Sequence, residues 1–302
     1  MDIKTLAQKI DSDKKLVSGH RTCAGCAIPI IVRTILSATD NFLVAANSTG
    51  CMEVTTTIYP YTSWNIPWIH NAFENVAATL SGIEGAFKAL RKKGKIDKEI
   101  KFVAFGGDGG LYDIGLQSLS GALERGHNCL YVCYNNEAYQ NTGGQRSSGT
   151  SKGSITTTTP KGKKEARKDL MRIVLAHHID YAAQAAVHNI LDLYQKAEKA
   201  FNAKGPSFLN VLSPCTLNWG FMPNSTIKIS KLAADTCFWP LYEVEKGKYK
   251  LNYNPFKKLP LEEFFKLQKR FSYLLKPENK NFLNEIQNEV DDNWEELLKK
   301  SG

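Results

Sequence analysis

The chain has 302 residues, 42% of them hydrophobic and 23% charged, a balance that suits a soluble globular fold of one large domain or two modest ones. No run approaches the roughly 18 consecutive apolar residues of a membrane span, and the opening MDIKTLAQKIDSDKK lacks the apolar centre of a signal peptide, so a cytoplasmic protein off the membrane is expected. The net charge of +9 comes from scattered lysines with no zinc-finger or RNA-recognition signature, which leaves no nucleic-acid partner to expect.

In chain order, residues 41–46 (NFLVAA) read as a short buried strand. From 72 to 92, Val76, Leu80, Ile83, Phe87 and Leu90 recur at helical spacing, with Arg91, Lys92 and Gly94 suited to a helix end. A strand over 101–105 then meets the glycine turn GGDGGLYDIG (106–115), followed by a helix over 112–125. Cys129–Tyr134 is an apolar strand leading into Asn135 and Asn136. This βαβ succession implies an α/β fold, a parallel sheet with helices on both faces. Lys161–Arg172 is a dense basic cluster, expected to be a solvated face, with docking of a partner or anionic ligand as the alternative. A helix near 165–176, a strand at 179–184, a helix over 188–203 and a strand at 208–212 continue the theme. After Pro223 the pattern changes: 224–260 mixes single aromatics, prolines and lysines, and 261–299 reads as two surface helices. The expected organisation is a principal domain over 1–223 and a subunit-contacting C-terminal extension over 224–302.

The glycine turn lacks both G-x-G-x-x-G and the Gly-Lys-Ser/Thr ending of a P-loop. Glycines near a helix start let backbone N–H groups approach an anion, but Asp108 would repel a bare phosphate. A divalent cation between them resolves this, and Mg²⁺ takes about six oxygens. The second ligand should come from the end of the neighbouring parallel strand, where ligands of α/β sheets gather. That strand ends at Asn135-Asn136, with 25 residues between Gly109 and Asn135. Gly-Asp-Gly, one βαβ unit, then Asn-Asn resembles the thiamine diphosphate motif.

Seven cysteines make an odd number, so metal or cluster ligation is a better default than a disulfide framework. Cys23 and Cys26 form a C-x₂-C pair, Cys51 follows a strand and a glycine, and Cys215 follows the strand at 208–212. Four thiolates at one end of a sheet suit Zn²⁺ or an iron–sulfur cluster, and the sequence does not separate the two. Cys129, Cys133 and Cys237 read as buried small hydrophobes.

SGHRTCAGCAIP, NSTGCMEVTTTIYPYTSWNIPWIHNAFEN, the glycine-turn segment, NNEAYQNTGGQRSSGT and GPSFLNVLSPCTLNWG together resemble the β subunits of the 2-oxoacid:ferredoxin oxidoreductase family, pyruvate:ferredoxin oxidoreductases in particular. The resemblance runs from about residue 15 to 225. It implies a thiamine-diphosphate-binding fold with the cofactor held through Mg²⁺ on Asp108, the Asn136 side chain and the Ala138 carbonyl. Gly107, Gly109, Gly110, Thr142 and Cys51 would line the cofactor, with Asn141 beside the reactive carbon as the catalytic residue. A proximal [4Fe–4S] cluster would sit on Cys23, Cys26, Cys51 and Cys215. Many relatives carry threonine where this chain has Asn136, and often glycine where it has Ala27. The resemblance further implies α, γ and δ partner subunits, ferredoxin as electron acceptor, and pyruvate and coenzyme A as substrates. Another 2-oxoacid (2-oxoisovalerate, 2-oxoglutarate or oxalate) is the alternative substrate, and a Zn-stabilised scaffold the alternative class. The activating glutamate is expected on a partner; Glu53, Glu74 and Glu84 are candidates by residue type alone.

Overall fold

A computed structural model describes residues 2–302. The strands are β1 (Phe42–Ser48), β2 (Trp68–Asn71), β3 (Ile100–Gly107), β4 (Leu130–Asn135), β5 (Tyr181–Ala186), β6 (Ser207–Leu212), β7 (Tyr242–Glu245) and β8 (Lys248–Leu251). They form one eight-stranded sheet in the order β2-β1-β3-β4-β6-β5-β7-β8. β1 to β6 pair in parallel, while β7 and β8 are antiparallel additions at one edge.

The helices are α1 (Ile3–Ser12), α2 (Ile28–Leu36), α3 (Cys51–Thr56), α4 (Val76–Lys92), α5 (Leu116–Glu124), α6 (Leu170–Leu175), α7 (Ile190–Asn202), α8 (Thr216–Trp219), α9 (Thr226–Asp235), α10 (Leu261–Phe265) and α11 (Lys280–Ser301). Strand alternation divides the core between the two faces. Val103, Phe105, Val132 and Tyr134 pack with α2 and α7, whereas Phe102, Ala104, Tyr131 and Cys133 pack with α4, α5 and α6. Every residue of β4, β5 and β6 is buried, which explains why those strands read as continuous apolar runs.

Several elements differ from the expectations drawn from the sequence. The helix expected from 112 is preceded by a π-helical turn, Gly109–Ile114, and α5 starts at Leu116. The helix expected near 165–176 shrinks to α6, because residues 163–168 are held in an irregular loop by internal polar contacts. The two surface helices expected over 261–299 are instead α10, a 3₁₀ segment (Lys269–Leu275) and the 22-residue α11. They are not merely superficial, since Leu261, Phe264, Phe265, Phe271 and Leu274 are fully buried in a third core with Trp219 and Trp239. Residues after Pro223 thus pack on their own chain and extend its sheet.

Candidate functional site

Because β1, β3, β4 and β6 run parallel, the loops after them converge at the carboxyl edge of the sheet. They enclose a cleft beside the glycine turn and a cavity of about 710 Å³ beside the cysteines. Cys51, Asn136, Gln140 and Asn141 line both.

Asp108 directly follows β3, with its side chain fully buried. Its Oδ1 accepts from the Asn136 backbone N–H at 3.2 Å and its Oδ2 from the Ser147 hydroxyl. Burial pushes its carboxyl up to about 7, against hydrogen bonds from Ser147 and the backbone that pull it down. The Asn136 side-chain amide lies 2.8 Å from the Ala138 carbonyl oxygen and 2.9 Å from Asp108 Oδ1, and in the orientation that satisfies both acceptors its NH₂ donates to them. Turned over, the same amide would offer its oxygen beside Asp108 Oδ1 and the Ala138 carbonyl, an all-oxygen donor set of the kind a hard cation such as Mg²⁺ takes. Asn135 instead braces the strand end, its amide donating to the Tyr112 hydroxyl at 3.0 Å and accepting from the Glu137 N–H at 2.9 Å.

The glycines prove to be needed for side-chain approach as well as for any anion. A Cβ at Gly109 would fall within 2.7 Å of three Tyr139 ring carbons, and one at Gly110 would lie 3.0 Å from Ser48 Oγ. Ser48 Oγ, the Tyr134 hydroxyl and Gln140 Nε2 are buried without partners among the described residues, so polar groups remain available around the cleft for a polar ligand. Asn141 and Thr142 are exposed at the rim, Thr142 donating to Gln145 Oε1 at 2.6 Å.

The thiols of Cys23, Cys26, Cys51 and Cys215 line the larger cavity. Burial raises Cys26 and Cys51 to about 12, and Cys215 is raised by the same cause. Among the described residues no three His, Cys, Asp or Glu side chains are already gathered at metal-ligand geometry. The Cys23–Cys26 turn depends on Gly25, whose φ is +74° and whose Cβ would meet three Pro223 backbone atoms within 2.8 Å. Thr226 donates to the Gly25 carbonyl at 2.5 Å, so the C-terminal region seals this turn. Cys129, Cys133 and Cys237 are buried away from this cavity.

Sequence reasoning missed the support beneath the loop. Glu137, between Asn136 and Ala138, is fully buried at φ +63°, a left-handed backbone that non-glycine residues adopt only when held. It is held by Arg167 at 2.9 Å and Arg270 at 2.5 Å, with Ser151 donating at 3.0 Å. Trp219 Nε1 donates to the Asn136 carbonyl at 3.0 Å. The Lys161–Arg172 cluster is only in part a solvated face: Lys161, Lys164 and Arg172 are exposed, but Lys163 is buried on the carbonyls of Thr150 and Ala166, and Lys168 pairs with Asp113 at 3.3 Å. Glu84 is also structural, pairing with Lys88 at 2.6 Å and His127 at 3.1 Å, away from both cavities.

Residues 48–211 match the C-terminal thiamine pyrophosphate-binding domain of thiamine pyrophosphate enzymes. The chain is 52% identical to the pyruvate synthase subunit PorB of Thermotoga maritima, over 99% of this chain and 96% of that one. It is 49% identical to the PorB subunit of Methanocaldococcus jannaschii, over 89% and 93%. The ketoisovalerate oxidoreductase subunit VorB of Pyrococcus abyssi is 43% identical over 95% and 93%. A solved 2-oxoglutarate:ferredoxin oxidoreductase from Magnetococcus marinus shares the fold, with a TM-score of 0.57 and 23% identity over 67% of each chain.

Proposed function

The chain belongs to the pyruvate synthase PorB family and carries its thiamine pyrophosphate-binding domain, and on that premise we propose that it holds Mg²⁺–thiamine diphosphate and a [4Fe–4S] cluster side by side for a pyruvate:ferredoxin oxidoreductase. The observation that carries this reading is the shared wall: Cys51, Asn136, Gln140 and Asn141 face both the glycine-turn cleft and the thiol cavity.

Asp108, the Asn136 amide oxygen and the Ala138 carbonyl would hold Mg²⁺, and Gly107, Gly109, Gly110 and Thr142 would line the place of the diphosphate. When bound, the thiazolium supplies the nucleophile and electron sink that decarboxylation of a 2-oxoacid requires. Asn141, exposed at the rim, orients the reacting groups from the protein side. Ser147 and the Asn136 N–H fix the Asp108 carboxylate, and the Glu137 ion pairs fix the loop that presents Asn136 and Ala138.

Cys23, Cys26, Cys51 and Cys215 hold the cluster. The choice of an iron–sulfur cluster over Zn²⁺ rests on the family to which the chain belongs, whose reaction needs a one-electron acceptor that Zn²⁺ is not. The cluster would supply the one-electron acceptor that oxidative decarboxylation of pyruvate to acetyl-CoA requires, with ferredoxin as the onward acceptor. The activating glutamate and the remaining clusters come from α, γ and δ partners. The 43% identity to a ketoisovalerate enzyme's subunit keeps a branched 2-oxoacid as the second reading.

Anaerobic purification tests the proposal. A brown protein with about four irons per chain, bleached by dithionite, is expected; a colourless zinc protein would overturn it.

A further inference from the structure

Arg270 is a buried cation with a hydrogen bond to spare. Its side chain has no exposed surface, Nη1 donates to Glu137 at 2.5 Å, and Nε donates to Gln268 at 2.9 Å. The guanidinium lies over the Trp219 ring, 3.7 Å from its centre. Nη2 has no partner among the described residues, an expensive omission for a charged group out of water.

Arg270 is also among the residues that line the cavity of Cys23, Cys26, Cys51 and Cys215, its main chain at the wall and its guanidinium buried behind it. Its charge is felt at Cys215, and that thiol at Arg270. Nor is its charge cancelled locally, because the single carboxylate of Glu137 is shared between Arg167 and Arg270. Lys163, 1% exposed and bound to the backbone carbonyls of Thr150 and Ala166, adds a further positive charge behind them. Surplus positive charge and an unused donor buried close behind the cavity wall suit an anion within it.

We infer that Arg270 donates through Nη2 to the sulfur shell of the cluster held by the four cysteines, and that it raises this cluster's reduction potential. The inference rests on the cluster proposed under the function above. A four-thiolate cluster is an anion, and reduction adds one electron with no bond made or broken, so the nearby guanidinium stabilises the reduced form more. Arg270 is here a positioning and tuning residue. The competing role for its free N–H, holding the carboxylate of the 2-oxoacid, makes a different prediction.

The test uses the assembled complex with Arg270→Gln, Arg270→Lys and Glu137→Gln chains. Iron is analysed, and the cluster is titrated by electron paramagnetic resonance, its signal identified as the one lost in Cys215→Ser. Arg270→Gln should keep its iron while the reduced-to-oxidised ratio at fixed potential falls about tenfold, equivalent to about 59 mV for one electron. Arg270→Lys should shift it less. Glu137→Gln, which leaves the guanidinium less compensated, should move the ratio upward, an opposite sign that loosened packing would not give. An unmoved ratio in iron-replete Arg270→Gln overturns the inference, as does an unmoved ratio joined to a raised KM for pyruvate. If Arg270→Gln loses its iron, the upward shift in Glu137→Gln supports the inference and its absence overturns it. A wild-type complex with no signal dependent on Cys215 removes the cluster itself.

Discussion

Adding one methyl group at Gly109 puts a carbon where the Tyr139 ring stands. The new Cβ would lie within 2.7 Å of three ring carbons, against about 3.5 Å for an ordinary carbon contact. The ring cannot swing away freely. Its hydroxyl donates to the Gly109 carbonyl at 3.1 Å, its face packs on Phe73 at 6.0 Å between centroids, and its backbone N–H donates to the Gln145 carbonyl at 2.9 Å. Relief requires a ring shift of about 1 Å, at an overpacking cost of about 1–3 kcal/mol. Breaking the hydroxyl bond adds about 1 kcal/mol. Gly109→Ala should therefore lower the melting temperature of the complex by several degrees and weaken thiamine diphosphate binding, since Tyr139 belongs to the loop that carries Ala138 and Asn141. In a Tyr139→Ala background the alanine has room, so the double-mutant cycle should show coupling of about 1–3 kcal/mol. Thermal unfolding and cofactor fluorescence quenching of the four proteins measure both effects. Wild-type stability for Gly109→Ala, or additive effects in the cycle, would refute this account of the turn.

Asp108→Ala should lose thiamine diphosphate and Mg²⁺ while keeping its iron and visible colour; unchanged cofactor content would contradict the assignment. Cys215→Ser should lose the cluster, whereas Cys133→Ala, in the interior of β4, should keep full iron at some cost in stability. Burial raises Glu243, but hydrogen bonds from Lys199 at 2.8 Å, Tyr181 at 2.7 Å and Asn252 at 3.2 Å outweigh it and hold the carboxyl down to about 2. Its stabilisation is thus complete above the ordinary value of 4.5 and disappears as pH falls towards 2; screening at half-exposed Lys199 limits it to about 1–3 kcal/mol. Glu243→Gln should be less stable than the native chain at pH 7, with the gap closing in acid; a gap that persists at pH 2 would count against the ion pairs.

The central parallel strands were legible because they are buried on both faces, which leaves an uninterrupted apolar run such as Cys129–Tyr134. The Asp108–Asn136 pair was legible because one βαβ unit fixes its spacing. β2, β7 and β8 are four residues each, too short for periodicity to register. Ser147 and the Glu137–Arg270 pair were hidden for another reason: their partners lie 39 and 133 residues away. A charge in sequence looks solvated by default, and Lys163 and Arg167 become internal only because the chain folds a carboxylate and carbonyls beneath them. The one local clue was a glutamate set between two oxygen-donor positions, where a solvated acid would interfere with the cation.

If cofactor and cluster share the wall formed by Cys51, Asn136, Gln140 and Asn141, electrons from pyruvate reach this cluster without ferredoxin. The direct measurement is the visible absorbance of the anaerobic complex after adding pyruvate and coenzyme A alone, with the Cys215→Ser complex subtracted. The account predicts bleaching within one turnover, abolished by Asp108→Ala. Release of CO₂ with the difference absorbance unchanged would contradict it.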